Sequence, residues 1–151
     1  MTNAQTFSFL EVLKAIEMGW SHDTSYNPEE WGQYQSRGYQ AWGQCVPTAY
    51  VLRLLYGGEI ERGRVRPYKH NRSYSHYWNI IDGERLDCTW SQYGWASFRG
   101  EPISQIKPVA DPKKMFHQKG VRERCALLHA RVELQLLEWQ SERTREEVDH
   151  S

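Results

Sequence analysis

The dipeptide Asp82-Gly83 constrains this chain more than any other feature, because it lies between two runs of strand-forming residues, 75–81 and 84–89. Asp-Gly in that setting favours a two-residue hairpin turn, and such a turn fixes the register of both strands. In that register His76 stands opposite Thr89, and Trp78 opposite Asp87. Side-chain alternation then puts His76, Trp78, Asp87 and Thr89 on one face and Tyr77, Asn79, Leu86 and Cys88 on the other. His76 and Asp87 become diagonal neighbours with ~7 Å or less between β-carbons, close enough for a carboxylate to hold an imidazole.

Upstream, Gly43-Gln44-Cys45 opens a strongly apolar stretch, residues 46–56, that ends at Gly57-Gly58. Pro47 is tolerated in a first helical turn and the glycine pair is a stop signal, so the stretch reads as a helix. Its apolar residues wrap most of the circumference, as in a central helix. Residues 59–66 alternate as a strand, and residues 68–74 are polar and loop-like. The middle of the chain is therefore a buried helix followed by antiparallel strands.

On the N-terminal side, Phe9, Leu10, Val12, Leu13 and Ile16 follow helical spacing, and Ser8 with Glu11 forms a capping box. Residues 19–42 are rich in Ser, Asn, Gly, Tyr and Trp. Within them Asn27-Pro28-Glu29-Glu30 reads as the cap and first turn of a short helix, and the remainder as an ordered loop beside the site. Residues 94–112, broken by proline and glycine, are expected to be mostly loop. Val121, Cys125, Leu128, Val132, Leu136 and Trp139 mark a long C-terminal helix. Residues 140–151 are almost wholly polar and are expected to fray. A length of 151 residues suits one domain, taken as residues 1–139 with that tail behind it.

Cys45 falls in the first turn of the central helix, where free backbone N–H groups and the helix dipole favour a thiolate. A thiol at a helix start, a histidine on a strand packed against it and a residue fixing the ring are the parts of a cysteine hydrolase. Cys45, His76 and Asp87 supply them in that order. The plainer reading makes Cys45 a small buried residue, His76 a satisfied core histidine and Asp87 a strand-end acid. The joint placement favours the catalytic reading. An oxyanion hole would use the Cys45 backbone N–H, with the side-chain amide of Gln40 or Gln44 as second donor. Cys88 and Cys125 read as core residues.

Basic and acidic residues number 19 each, so no net field draws nucleic acid or an anionic membrane. The three cysteines lack CxxC spacing and cannot all pair within the chain, which suits a reducing cytoplasm. No basic segment leads into an apolar run, and no run of about 18 apolar residues occurs, so neither secretion nor membrane insertion is expected.

Together, Gly43-Gln44-Cys45, Gly57-Gly58-Glu59-Ile60, residues 75–79 (Ser-His-Tyr-Trp-Asn), Asp87-Cys88-Thr89 with Gln92-Tyr93, and a last helix carrying Arg124 and Leu127-Leu128 resemble the YunG-like family of small bacterial proteins. The resemblance covers roughly residues 40–132. It implies an α+β fold similar to papain-like and transglutaminase-like domains, with a central nucleophile helix packed on an antiparallel sheet. It also implies Cys45, His76 and Asp87 at the catalytic positions, with Gln44 and Gln92 as further motif residues.

The expected activity is amide or ester hydrolysis through a thioester on a small molecule or peptide, with Trp42 and Trp78 beside the substrate and no metal or organic cofactor. Acyl transfer, transglutamination or protein deamidation would use the same thioester. From a different class, a binding module would hold a ligand in an aromatic cleft made by Trp31, Tyr34, Tyr39 and Trp42. A Cys45–His76–Asp87 metal site is the weakest alternative, since no fourth ligand lies nearby in sequence.

Overall fold

The computed structural model describes residues 6–36, 40–66, 72–90 and 103–151. Helix α1 (Phe9–Gly19) begins at Ser8, whose hydroxyl accepts from the Glu11 amide while the Glu11 carboxylate accepts from the Ser8 amide. Its buried face is Val12, Ala15, Ile16 and Gly19. Helix α2 (Pro28–Ser36) follows with Pro28 as its first residue, and helix α3 runs from Cys45–Tyr56 and stops at Gly57.

Four antiparallel strands come next: β1 (Glu59–Val65), β2 (Tyr74–Ile81), β3 (Glu84–Leu86) and β4 (Ser104–Val109), in the order β3-β2-β1-β4. Asp82 and Gly83 both have positive φ, as a tight hairpin turn requires, and Asn79 pairs with Leu86 in the expected register. The ladder stops there, so β3 is shorter than the run expected to reach Thr89. Strand β4 lies where loop was expected. It carries Pro108, which an edge strand tolerates because one side of its backbone needs no partner.

Register divides the sheet into two faces. Ile60, Arg62 and Arg64 share one with Asn79, Tyr77 and Ser75, while Gly63 and Val65 share the other with His76 and Tyr74. The first face is covered by helices. Ala49 of α3, Ile60, Met115, Val121 and Cys125 form one core cluster, and Val12, Ile16, Val51, Leu52, Leu128 and Leu136 form a larger one between α1, α3 and α4 (Val121–Asp149). A smaller cluster of Trp42 and Val65, joined by Trp90 and Ile103, covers the second face.

The polar segment after Gln140, expected to fray, continues α4 to Asp149. Arg143 explains the order: its guanidinium pairs with Glu11 and lies 4.6 Å from the Phe7 ring, tying the last turns to α1. Arg131, further up α4, donates to the Gly19 carbonyl at 2.9 Å and closes the end of α1. No helix among the described residues is long and apolar enough to cross a membrane.

Candidate active site

The start of α3 is set by a clamp from residues 21–26. Ser25 Oγ donates to the Trp42 carbonyl at 3.0 Å, the Tyr26 amide donates to the Gly43 carbonyl at 2.8 Å, and Gln44 Nε2 donates to the Ser21 carbonyl at 3.0 Å. Gly43 has φ +71°, and a β-carbon there would lie 2.4 Å from Ser25 Oγ. Only glycine fits such an approach with such a backbone. The Gly43-Gln44-Cys45 motif thus divides its work: Gly43 makes the turn, the buried Gln44 anchors it, and Cys45 begins the helix. Cys45 is 7% exposed.

Trp42 packs with Val65 on one face of the sheet, and Ala49 packs with Ile60 on the other. The chain crosses between the faces in the residues that separate them, and Cys45 lies in that crossing. This is how a thiol on a helix covering one face meets His76, which belongs to the other. Asn79 Nδ2 holds the two elements in register by donating to the Ala49 carbonyl of α3 at 2.9 Å.

His76 is fully buried, with Trp78 and Trp90 rings each 5.8 Å away between centroids. The Trp78 ring is itself fixed, since its Nε1 donates to Glu61 at 2.9 Å and the Arg85 guanidinium stacks 4.1 Å from it. His76 Nε2 meets Asp87 Oδ2 at 2.6 Å. The Thr89 amide and hydroxyl donate to the other carboxylate oxygen, at 3.3 and 3.5 Å, which aims Oδ2 at the ring. A carboxylate oxygen accepts, so Nε2 carries a proton in this pair, and Nδ1 is the ring nitrogen left for another partner.

Burial alone pulls the His76 pKa down. The hydrogen bonds to Asp87 and Cys45 and the charges of those two groups outweigh it, and the ring is pushed up to about 9. Burial pushes the Cys88 thiol up to about 12, with Asp87 and Glu17 adding to the effect. Burial likewise pushes Cys125 up to about 12 against the opposing charge of Arg124. Both are poor nucleophiles near neutrality, and both pack in the helical core as expected.

A cleft of about 450 Å³ opens beside Cys45, lined by Trp42, Val46, Tyr74, Ser75 and Tyr77 among others. That volume suits a small molecule or a short peptide segment. At the helix start, Cys45 and Val46 present backbone N–H groups that have no carbonyl four residues back within the helix, and Pro47 has none to present.

The remaining sequence candidates fall as follows. Trp42 lines the cleft, and Trp78 packs on His76 behind it. The Gln44 side chain donates to Ser21, and Gln40 is exposed, with its backbone carbonyl accepting from Trp31 Nε1 at 3.2 Å. Gln92, Tyr39 and the side chain of Tyr34 lie outside the described residues. Thr89, Asn79 and Ser25 had no assigned role in the sequence reading. Thr89 alone had a local signal, since an acid followed two residues later by a hydrogen-bonding residue is a recurrent turn. Among the described residues, no group of three or more His, Cys, Asp or Glu side chains is arranged to hold a metal ion.

Fold and site together define an α+β domain whose central helix begins at a cysteine beside a buried histidine that is bonded to a partly buried aspartate. A family model described as YunG protein matches residues 8–137, and the chain belongs to that family. The match extends beyond the motifs of residues 40–132 and takes in the aromatic segment before them. The chain matches no curated protein and no solved structure.

Proposed function

We propose that the protein is a cysteine-dependent hydrolase acting on an amide or ester through a thioester, built on a core of papain-like and transglutaminase-like organisation. The observation that carries this reading is the fully buried His76, held at Nε2 by Asp87 at 2.6 Å and in contact with the Cys45 thiol. A ring held in this way supports a chemical role over a space-filling one. It can keep a thiolate paired with an imidazolium and then hand over the proton.

The Cys45 thiolate attacks the carbonyl carbon, and the oxyanion is met by N–H groups at the start of α3. His76 gives its proton to the leaving amine or alcohol as the carbon–nitrogen or carbon–oxygen bond breaks. A water then loses a proton to His76 and attacks the thioester, the acid departs, and the thiolate re-forms. An amine in place of water would make the same site an acyl transferase. The three cysteines are free, which suits action in a reducing cytoplasm.

Incubation with a library of acyl- and amide-directed covalent probes, with the labelled residue mapped by mass spectrometry, tests the reading. Label on Cys45 that disappears in Cys45→Ala and drops in Asp87→Asn supports it. Absence of label, or label spread over Cys88 and Cys125, overturns it.

A further inference from the structure

We propose that the cleft beside Cys45 selects substrates with a carboxylate close to the scissile amide or ester, and that Arg64 and Arg72 receive that carboxylate. This deepens the hydrolase reading and rests on it. Both arginines line the cleft that Cys45 lines. Arg64 Nη1 donates to Ser75 Oγ at 3.0 Å and Nη2 donates to the Ser73 carbonyl at 2.9 Å. Those acceptors are neutral, so they fix the guanidinium without cancelling its charge, and its remaining N–H groups stay available.

Neither arginine has a carboxylate partner among the described residues. A guanidinium already held in place by neutral acceptors loses little freedom when it binds an anion, and its planar fork matches a carboxylate. The start of α3 adds a partial positive charge at the same end of the cleft. Glu30 is the acid among the described lining residues; with two arginines, and with the Cys45 thiolate of the hydrolase reading balanced by the His76 imidazolium, it leaves a single net positive charge around the cleft. That balance matches a monoanionic carboxylate better than a dianionic phosphate.

Iodoacetate and iodoacetamide are nearly isosteric thiol reagents, and the first carries the carboxylate. The test is the ratio of their second-order rates at Cys45, read by mass spectrometry and compared with the same ratio for glutathione. We expect the wild-type ratio to exceed that of glutathione by roughly tenfold, the size of one charge-assisted contact. Arg72→Gln and Arg64→Gln should lower it, and Glu30→Gln should raise it. Arg72 makes no hydrogen bond among the described residues, so its variant serves even if Arg64→Gln disturbs β1.

A wild-type ratio equal to that of glutathione overturns the carboxylate assignment. So does an elevated ratio that survives in both arginine variants, which would trace it to the His76 imidazolium. The iodoacetamide rate at Cys45, taken alone, judges the nucleophile. A slow neutral reagent sinks the hydrolase reading, whereas a fast one with an ordinary ratio sinks only the carboxylate.

Discussion

Asp87 bonds His76 at 2.6 Å even though it lies one residue beyond Leu86, where the pairing of β3 with β2 ends. Leaving the ladder matters to the geometry. A strand residue diagonal to His76 would hold its carboxylate at a distance set by the pleat, whereas a residue just past the strand can turn inward. Thr89 then grips the second carboxylate oxygen through its amide and hydroxyl. The hairpin brings the pair together, and the early end of β3 lets them close.

The His76 pKa lies above its ordinary value, so protonation favours the folded state. That contribution is fully present below pH 6.5 and is lost as pH rises through about 9. It is worth on the order of 3 kcal/mol at most. We expect the wild-type melting temperature to fall across that window and Asp87→Asn to flatten the fall. Thermal melts from pH 6 to 10 check this, and equal slopes for the two proteins would show that Asp87 does not hold the imidazolium.

The parts of the fold that the sequence made legible depend on local signals. Asp82-Gly83 set the register, Ser8 and Glu11 marked the start of α1, and Gly57 marked the end of α3. Strand β4 was not legible because it is an exposed edge carrying Lys107 and Pro108, with no alternation to betray it. The order of α4 beyond Gln140 comes from Arg143 reaching residues at the other end of the chain. In the candidate site, the pairing of His76 with Asp87 and the place of Cys45 at a helix start could be read from residue type and register. The clamp from Ser21 and Ser25, and the placement of Arg64 and Arg72 on one cleft, depend on tertiary approach and leave no local pattern.

Gly43→Ala tests the clamp. The added β-carbon would meet Ser25 Oγ at 2.4 Å on a backbone with positive φ, so the loop must shift. A destabilisation of about 1–3 kcal/mol is expected, together with slower Cys45 alkylation as the start of α3 loosens. Denaturant melts and iodoacetamide kinetics read the two effects. Unchanged values would mean that the turn is free to relax without disturbing the site.

Truncation after Gln140 removes Arg143 and its contacts with Glu11 and Phe7. The melting temperature should fall by a few degrees, and Arg143→Ala should reproduce most of the loss. If truncation lowers it but Arg143→Ala does not, the helix itself rather than this anchor stabilises the end of the chain. No change in either would make the last turns dispensable.

The three thiols give the sharpest separation between chemistry and packing. With pKa values pushed up to about 12 by burial, Cys88 and Cys125 stay thiols at neutral pH. On the hydrolase reading Cys45 is paired with a His76 imidazolium and should be alkylated by iodoacetamide orders of magnitude faster than either, with all three reacting alike after unfolding. Asp87→Asn withdraws the carboxylate that helps keep His76 charged, so the Cys45 rate near neutral pH should fall roughly tenfold or more. His76→Ala is a poorer probe, because emptying a fully buried site costs stability whatever the histidine does. Peptide-level mass spectrometry of the native protein, with melts at pH 9 where the His76 contribution to stability is mostly lost, keeps the two effects apart. A fast Cys45 that slows in Asp87→Asn without a matching loss of melting temperature supports a working nucleophile. A Cys45 no faster than its two buried neighbours, or one indifferent to Asp87 while the variant melts several degrees lower, would make Cys45, His76 and Asp87 a packing cluster and nothing more.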